Sequence, residues 1–366
     1  MSVDIKTFAE RLTLYEFEHF DITTLKDEEI GILIYEFCVS HQEYDELDLS
    51  NWDVSKVKDM YDWFSCCNNV EHIKGLDKWD VSNVEGMSRM FNECESLESL
   101  EPLKNWDVSN VKTMSCMFNE CESIKSLEPL KNWDVSNVKD MCGMFNKCES
   151  LESLEPLKNW DVSNVKTMFW MFKACKKVES LEPLMNWNVS NVKDICGMFE
   201  ECDSIKSLEP LKNWDVSNVE TMSYLFKACE KVESLEPLMN WNVSNVKCIR
   251  CMFSSCNSLK ALDSETYTNY YLFLAKFNRI CECNNIFKDC DNLPYVLTDS
   301  YDYICLMLAA LAINDSESKQ QYAETQLVEK DKRIAELEAK VERYRQMLKQ
   351  TNEATKSIGM KPMDLN

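Results

Sequence analysis

The 366-residue sequence predicts an α/β repeat solenoid, a parallel sheet of short strands with short helices on the other face, a helical N-terminal cap and a C-terminal coiled-coil helix. Three observations predict it. Tryptophan falls at 52, 79, 106, 133, 160, 187, 214 and 241, a period of 27 residues without a slip. Phenylalanine from Phe64 to Phe253, cysteine from Cys67 to Cys256 and proline from Pro102 to Pro237 keep the same period. From Ser316 the composition shifts to Glu, Lys, Gln and Ala, with no glycine or proline until Gly359. A strict period of this length means stacked units, each burying its apolar face only against its neighbours.

One unit runs from Leu97 to Cys121. Its second half places Val111, Met114, Met117, Phe118 and Cys121 at helical spacing behind the N-cap candidates Asp107 and Ser109, which predicts a short amphipathic helix or 3₁₀ stretch. Its first half, Ser96 to Leu103, is too short and too proline-marked for a second helix and predicts a short extended strand. Strand plus short helix in about 27 residues is a leucine-rich-repeat-like format. Rungs about 4.8 Å apart turn equivalent residues into ladders, so eight repeats predict a sheet roughly 40 Å long.

The tryptophans form one such ladder. Asparagines from Asn83 to Asn245 form another, placed to satisfy backbone groups of adjacent turns. The ladder cysteines read as small buried hydrophobes, with neighbouring rungs within reach of a disulfide as the alternative. The segment 177–193 recurs unchanged at 231–247, which points to copying in pairs of repeats.

The predicted organisation is a helical cap over residues 1–46 and eight repeats over 47–263. A degenerate ninth repeat around Ile286 to Cys290 with a C-terminal cap follows over 264–315, then a coiled-coil helix over 316–350 and a tail over 351–366. Ile30, Leu33, Ile34 and Phe37 give the first segment an apolar helical face that begins near Thr24 to Glu28. In the coiled coil, Leu327, Ile334, Val341 and Leu348 take a positions and Leu337 and Tyr344 take d, a seam suited to oligomerisation.

The motif W-D-V-S-N-V followed by M-x-x-M-F-x-x-C-x-S-L recurs eight times over residues 47–263. It resembles the BspA-like leucine-rich repeat of the mycoplasma-lipoprotein surface-protein type. The resemblance implies a right-handed solenoid used for adhesion or protein binding, in a family scattered through bacteria, protists and large DNA viruses. The E-P-L insertion lengthens the unit, and the N-terminus carries no lipoprotein signal. An intracellular version from a giant virus or protist, with association to a virion as a possibility, is the reading that follows.

Formal net charge is -23, and the near-neutral 316–366 segment leaves the whole acidic excess on the first 315 residues. Such a surface repels phosphate backbones and anionic lipid, which argues against nucleic-acid and membrane partners and for a basic protein partner. Residues 1–12 lack a basic n-region, an apolar h-region and a cleavage site, so the 19 cysteines are expected as free thiols in a reducing, cytoplasmic location.

No catalytic residues are predicted. His19, His41 and His72 have no metal or catalytic spacing, and six glycines leave no phosphate-cradling loop. Cys248, Cys251, Cys256, Cys281, Cys283 and Cys290 include one C-x-x-C, but the repeat accounts for Cys256 and Cys290, so neither metal nor cofactor is expected.

Partner-binding candidates are the row Glu101, Glu128, Glu155, Glu182, Glu209 and Glu236, with Lys104, Lys131, Lys158 and Lys212 three residues on. The expected function is a non-enzymatic protein-interaction scaffold that binds through this acidic repeat surface and multimerises through the coiled coil. The alternative is a structural component whose solenoid packs into a virion or surface-layer-like particle.

Overall fold

Each repeat is held by donors that its own sequence places opposite acceptors in the neighbouring repeats. A computed structural model describes residues 5–259 and 285–290 of the chain. The predicted C-terminal cap, most of the ninth repeat, the tail and the coiled-coil positions Leu327, Ile334, Leu337, Val341, Tyr344 and Leu348 lie outside the described residues.

In the repeat centred on Trp106, the Asp107 carboxylate accepts the Ser109 amide at 3.1 Å, an Asx-turn, and the Val111 amide donates to the Val108 carbonyl at 2.9 Å. That turn aims Asn110 back at the Ser82 carbonyl, to which it donates at 2.8 Å. Trp106 Nε1 donates to the Leu76 carbonyl at 2.7 Å. Every period-27 tryptophan from Trp79 to Trp241 makes the same bond to the repeat before it. The asparagine bond recurs from Asn83 to Asn245.

Thr113 then forms parallel bridges with Gly86 on one side and Asp140 on the other, part of a ladder of single bridges from Asp59 to Cys248. Beyond it the amides of Met114, Cys116, Phe118 and Glu120 donate to carbonyls of the next repeat at 2.7–2.9 Å. Met117, Asn119 and Cys121 instead close three-residue turns within their own repeat, and Cys116 and Glu120 sit at positive φ.

The segment is a chain of turns and not the expected short helix, and Asp107 and Ser109 cap no helix there. Two left-handed residues in eight are incompatible with an α-helix of L-residues. Val111, Met114, Met117, Phe118 and Cys121 are nonetheless fully buried. Successive three-residue turns return side chains to one face at spacings of three and four, which imitates helical periodicity.

The first half of the repeat also departs from expectation. Glu101–Leu103 is a single 3₁₀ turn, repeated at each Glu-Pro-Leu through Glu236–Leu238. Among the described residues, paired strands are limited to β1 (Glu46–Asp48) and β2 (His72–Lys74), parallel, with Glu46 opposite His72. One period after β2 stand Ser99 to Glu101, followed by Pro102 where β2 is followed by Gly75. Proline lacks an N–H and holds φ near -65°, so it cannot extend a ladder but sits well in the first turn of a 3₁₀ helix.

The core is a set of continuous columns. Phenylalanine rings stack from Phe64 to Phe253 and on to Phe287, with centroids 5.3–5.9 Å apart and planes within 13° of parallel. Residues Ile286 to Cys290 carry the backbone ladder on, with the amides of Phe253 and Ser255 donating to the carbonyls of Ile286 and Lys288.

Before the first repeat come α1 (Ile5–Ala9), α2 (Leu14–Glu18) and α3 (Asp27–Ser40). Thr13 and Glu16 form a capping box that starts α2. Ile30, Leu33, Ile34 and Phe37 of α3 are buried against the array. The Asp27 carboxylate accepts the Lys58 and Asp59 amides at 3.0 Å each. It stands in for the carbonyl that Lys58 itself offers to Glu85 and Gly86 one repeat later. Likewise the Phe17 carbonyl accepts Trp52 Nε1, and the Asp27 carbonyl accepts Trp63 Nε1 at 3.1 Å.

Two stability predictions follow from these bonds. Trp133→Phe keeps most of the buried ring but removes the donor to the Leu103 carbonyl at 3.1 Å, so urea denaturation should show a loss of about 1–2 kcal/mol, against about 3–5 for Trp133→Ala. A loss for Trp133→Phe indistinguishable from zero would mean that the column holds by packing alone.

The second concerns Asp194, which bridges to neighbouring repeats and accepts the Cys196 amide at 2.9 Å while half-buried. Burial pushes its carboxyl above the usual carboxylate range. Its contribution to stability is therefore complete below the unfolded pKa and is lost as pH rises through the folded one. Asp194→Asn, which keeps the acceptor without the charge, should raise the urea midpoint at pH 7 and leave it unchanged near pH 3.

Candidate interaction surface

The glutamate row lies on the 3₁₀ face. In each unit a serine hydroxyl accepts the glutamate amide, as Ser99 does from Glu101 at 3.2 Å, and so fixes the start of the turn. The i+3 geometry of that turn then brings the predicted lysines onto their own glutamates. Lys104 pairs with Glu101 at 2.9 Å, and Lys131, Lys158 and Lys212 pair with Glu128, Glu155 and Glu209. The remaining two glutamates of the row, Glu182 and Glu236, have Met185 and Met239 at that place.

The row is thus a series of solvent-exposed ion pairs, each worth about 0–1 kcal/mol, with its charge concentrated at two rungs. Towards its N-terminal end the same face opens into a groove lined by Glu46, Asp48, His72, Lys74, Glu101 and Lys104.

A second surface feature belongs to the chain of turns. The sequence has ten tryptophans, eight on the period and two, Trp63 and Trp170, off it. Nine of the ten donate their indole N–H to a backbone carbonyl. Trp170 makes no such bond among the described residues and is 42% exposed.

Equivalent positions in other repeats carry Arg89, Cys116, Gly143, Gly197 and Tyr224, all at positive φ. Since arginine, cysteine, tryptophan and tyrosine all adopt that backbone here, glycine is not needed for conformation. Gly197 is needed for space: a Cβ on it would lie 2.4 Å from Trp170 Cδ1 and 2.7 Å from Nε1. The Cδ1 and Nε1 atoms of the indole therefore lie against the glycine of the next rung, with the Phe169 ring edge-on at 5.4 Å.

Charge underlies the ring. At this depth the earlier repeats carry an amide ladder, with Asn92 donating to Ser65, Asn119 to Asn92 and Asn146 to Asn119. The next rungs substitute Lys173, Glu200 and Lys227. Glu200 is only 4% exposed and is held by Lys173 at 3.0 Å and Lys227 at 2.8 Å. The hydrogen bond to Glu200 raises the Lys227 ammonium above its ordinary pKa.

The same two ammonium groups stand 5.3 Å from the Trp170 ring centroid and 5.6 Å from that of Tyr224, in cation–π range. Because Lys173 is committed to Glu200 and Glu201, Asn146 Oδ1 is left buried without a partner among the described residues. The charged residues are thus committed to one another, and the Trp170 ring remains part-exposed above them.

Trp170 escapes a reading by period because periodicity selects what every repeat shares. The available signal was its position off the 27-residue register.

The ladder cysteines are buried, and each from Cys94 to Cys256 donates its thiol to the phenylalanine carbonyl of the preceding repeat at 3.0–3.2 Å. They are hydrogen-bonding groups as well as small hydrophobes. Of the suspected metal-like cluster, Cys281 and Cys283 lie outside the described residues. Among the described residues no group of three or more His, Cys, Asp and Glu side chains is arranged to hold a metal. His19 and His41 each bond the backbone carbonyl four residues earlier on their own helices.

Gly197→Ala is expected to lever the Trp170 ring off the surface. Acrylamide should then quench a larger share of the tryptophan fluorescence, and that increment should vanish when Trp170→Phe is added. An unchanged quenching curve would mean that the ring does not lie on Gly197.

A family model described as "Mycoplasma protein of unknown function" matches the chain three times, over residues 34–127, 123–209 and 176–293, together more than two thirds of its length. Comparison with curated proteins and with solved structures found no match.

Proposed function

Since the chain belongs to this family, DUF285, whose description leaves function open, we propose that it is a non-enzymatic protein-interaction scaffold with Trp170 as the anchor of its binding face. The observation that carries the reading is the contrast among the tryptophans: nine are tied into the stack and one lies open on the surface. An exposed aromatic on a rigid backing presents large apolar area at little entropic cost, as the strongest contributors to protein interfaces do.

The rim supports a protein partner over a small ion, because Lys173 is already paired with Glu200 and Glu201, and Lys227 with Glu200. The glutamate row then steers a basic partner and adds little affinity of its own. In this reading the N-terminal helices cap the array by supplying acceptors to its first rung, and the coiled coil multiplies weak contacts. The finer kinship with BspA-like leucine-rich repeats, and a cytoplasmic site of action, belong to the same proposal.

A lattice protein of a virion or surface layer is the competing reading, favoured by rows of identical side chains at every rung. Near-stoichiometric abundance in purified particles would support it.

The test is affinity capture with mass spectrometry, comparing the full chain with Trp170→Ala, with Glu101, Glu128 and Glu182 changed to lysine, and with a chain ending at Asp315. Trp170→Ala is expected to lose the partner at least tenfold, an effect of about 1.4 kcal/mol or more. The lysine variant should mainly flatten the salt dependence, and the truncation should weaken capture without changing the partner. Undiminished capture by Trp170→Ala would exclude Trp170 as the anchor.

A further inference from the structure

The cysteine column has one irregular end. From Cys94 onward each thiol is committed to a phenylalanine carbonyl one repeat back, and Cys290 donates to the Phe253 carbonyl in the same way. Cys67 opens the column and has no earlier repeat behind it. The place of that repeat is taken by α3, and Cys38, in the last turn of that helix, lines one crevice with Cys67. Cys67 is 2% and Cys38 9% exposed. Both line a crevice of about 180 Å³ shared with Cys66, Gln42, Tyr44 and Asn69. Here the first thiol of the column and a thiol of α3 share one crevice between different elements.

We propose that Cys38 and Cys67 are a redox modification site whose reversible disulfide staples α3 to the first repeat. A low-molecular-weight disulfide, such as glutathione disulfide, is the oxidant. One protein thiolate attacks it, forming a mixed disulfide and expelling one glutathione thiolate. The second protein thiolate attacks the protein sulfur of that mixed disulfide and expels the other. Two protein thiols become one disulfide, one glutathione disulfide becomes two glutathiones, and the two protons pass from protein thiols to glutathione thiols.

Burial pushes the Cys67 thiol up, so the exchange speeds up as pH rises or as the end of α3 opens. The interface it would lock otherwise rests on few polar contacts: Asp27 with the Lys58 and Asp59 amides, Trp63 with the Asp27 carbonyl, and Asn69 with the Gln42 carbonyl. The staple thus sets whether the first rung of the array stays covered.

The full chain is equilibrated in glutathione buffers from reducing to oxidising, alkylated with N-ethylmaleimide, unfolded, alkylated again with a second reagent, and digested for mass spectrometry. The expected result is a Cys38–Cys67 cross-linked peptide that grows with oxidant and disappears on return to excess glutathione, while the ladder cysteines stay reduced. Amide exchange across Asp27–Ser40 should slow on the order of 100-fold in the oxidised wild type and not in Cys38→Ser. Since the peptide is read in the wild type, the test stands even where a Cys67 variant fails to fold. No cross-link under fully oxidising buffer, a Cys38–Cys66 link in its place, or a cross-link that leaves α3 exchange unchanged would each overturn the proposal.

Discussion

The structure depends on one constraint: donors in each repeat find their acceptors in the repeat next to it. Trp106 to the Leu76 carbonyl, Asn110 to the Ser82 carbonyl, Cys121 to the Phe91 carbonyl and the alternate amides from Met114 to Glu120 are all bonds between neighbours. Very little regular structure is needed when the ladder runs along the stack in place of along the chain. That explains how a unit of turns, one 3₁₀ segment and a single bridge can form a continuous core. It also explains how non-glycine residues hold positive φ in every repeat, a strain of about 1–2 kcal/mol each that the same bonds offset.

A stack of this kind leaves one rung without a predecessor, and the chain solves the problem with groups that imitate one. The Asp27 carboxylate replaces a lysine-position carbonyl, the Phe17 carbonyl replaces a leucine carbonyl, and Cys38 lines the crevice beside Cys67 where later rungs offer a phenylalanine carbonyl. The first two substitutes are inert, whereas the third brings two oxidisable sulfurs together. The chemically distinctive sites of the molecule therefore sit where the repeat is broken, at its end and at the departures in the middle. Lys173, Glu200 and Lys227 interrupt an amide ladder, and Trp170 lies over a glycine that other rungs do not require.

Read from sequence alone, the period and the buried columns were legible because burial repeats with the side chains that cause it. Asn110 and its equivalents were also legible as backbone partners. Helix and strand were not. Three-residue turns and an α-helix both return apolar residues at spacings of three and four, so Met114, Met117 and Phe118 carry no local mark that tells them apart. The fate of Ser99 to Glu101 rested on Pro102, which marked the segment but did not reveal that a 3₁₀ turn would replace the strand. The glutamate row was legible as a row, yet its pairing with lysines three residues on is a product of that same turn.

What the sequence determined by itself is therefore the translation: a 27-residue unit, the identity of each column, and the net negative charge of the chain. Those properties depend on which residues recur, and recurrence is written in the chain. What only the tertiary structure decided is direction: which carbonyl a tryptophan reaches, which glutamate is neutralised, which indole stays in solvent, and which two thiols meet. These follow from the rise and rotation between rungs, quantities set by packing many repeats together and carried by no single one.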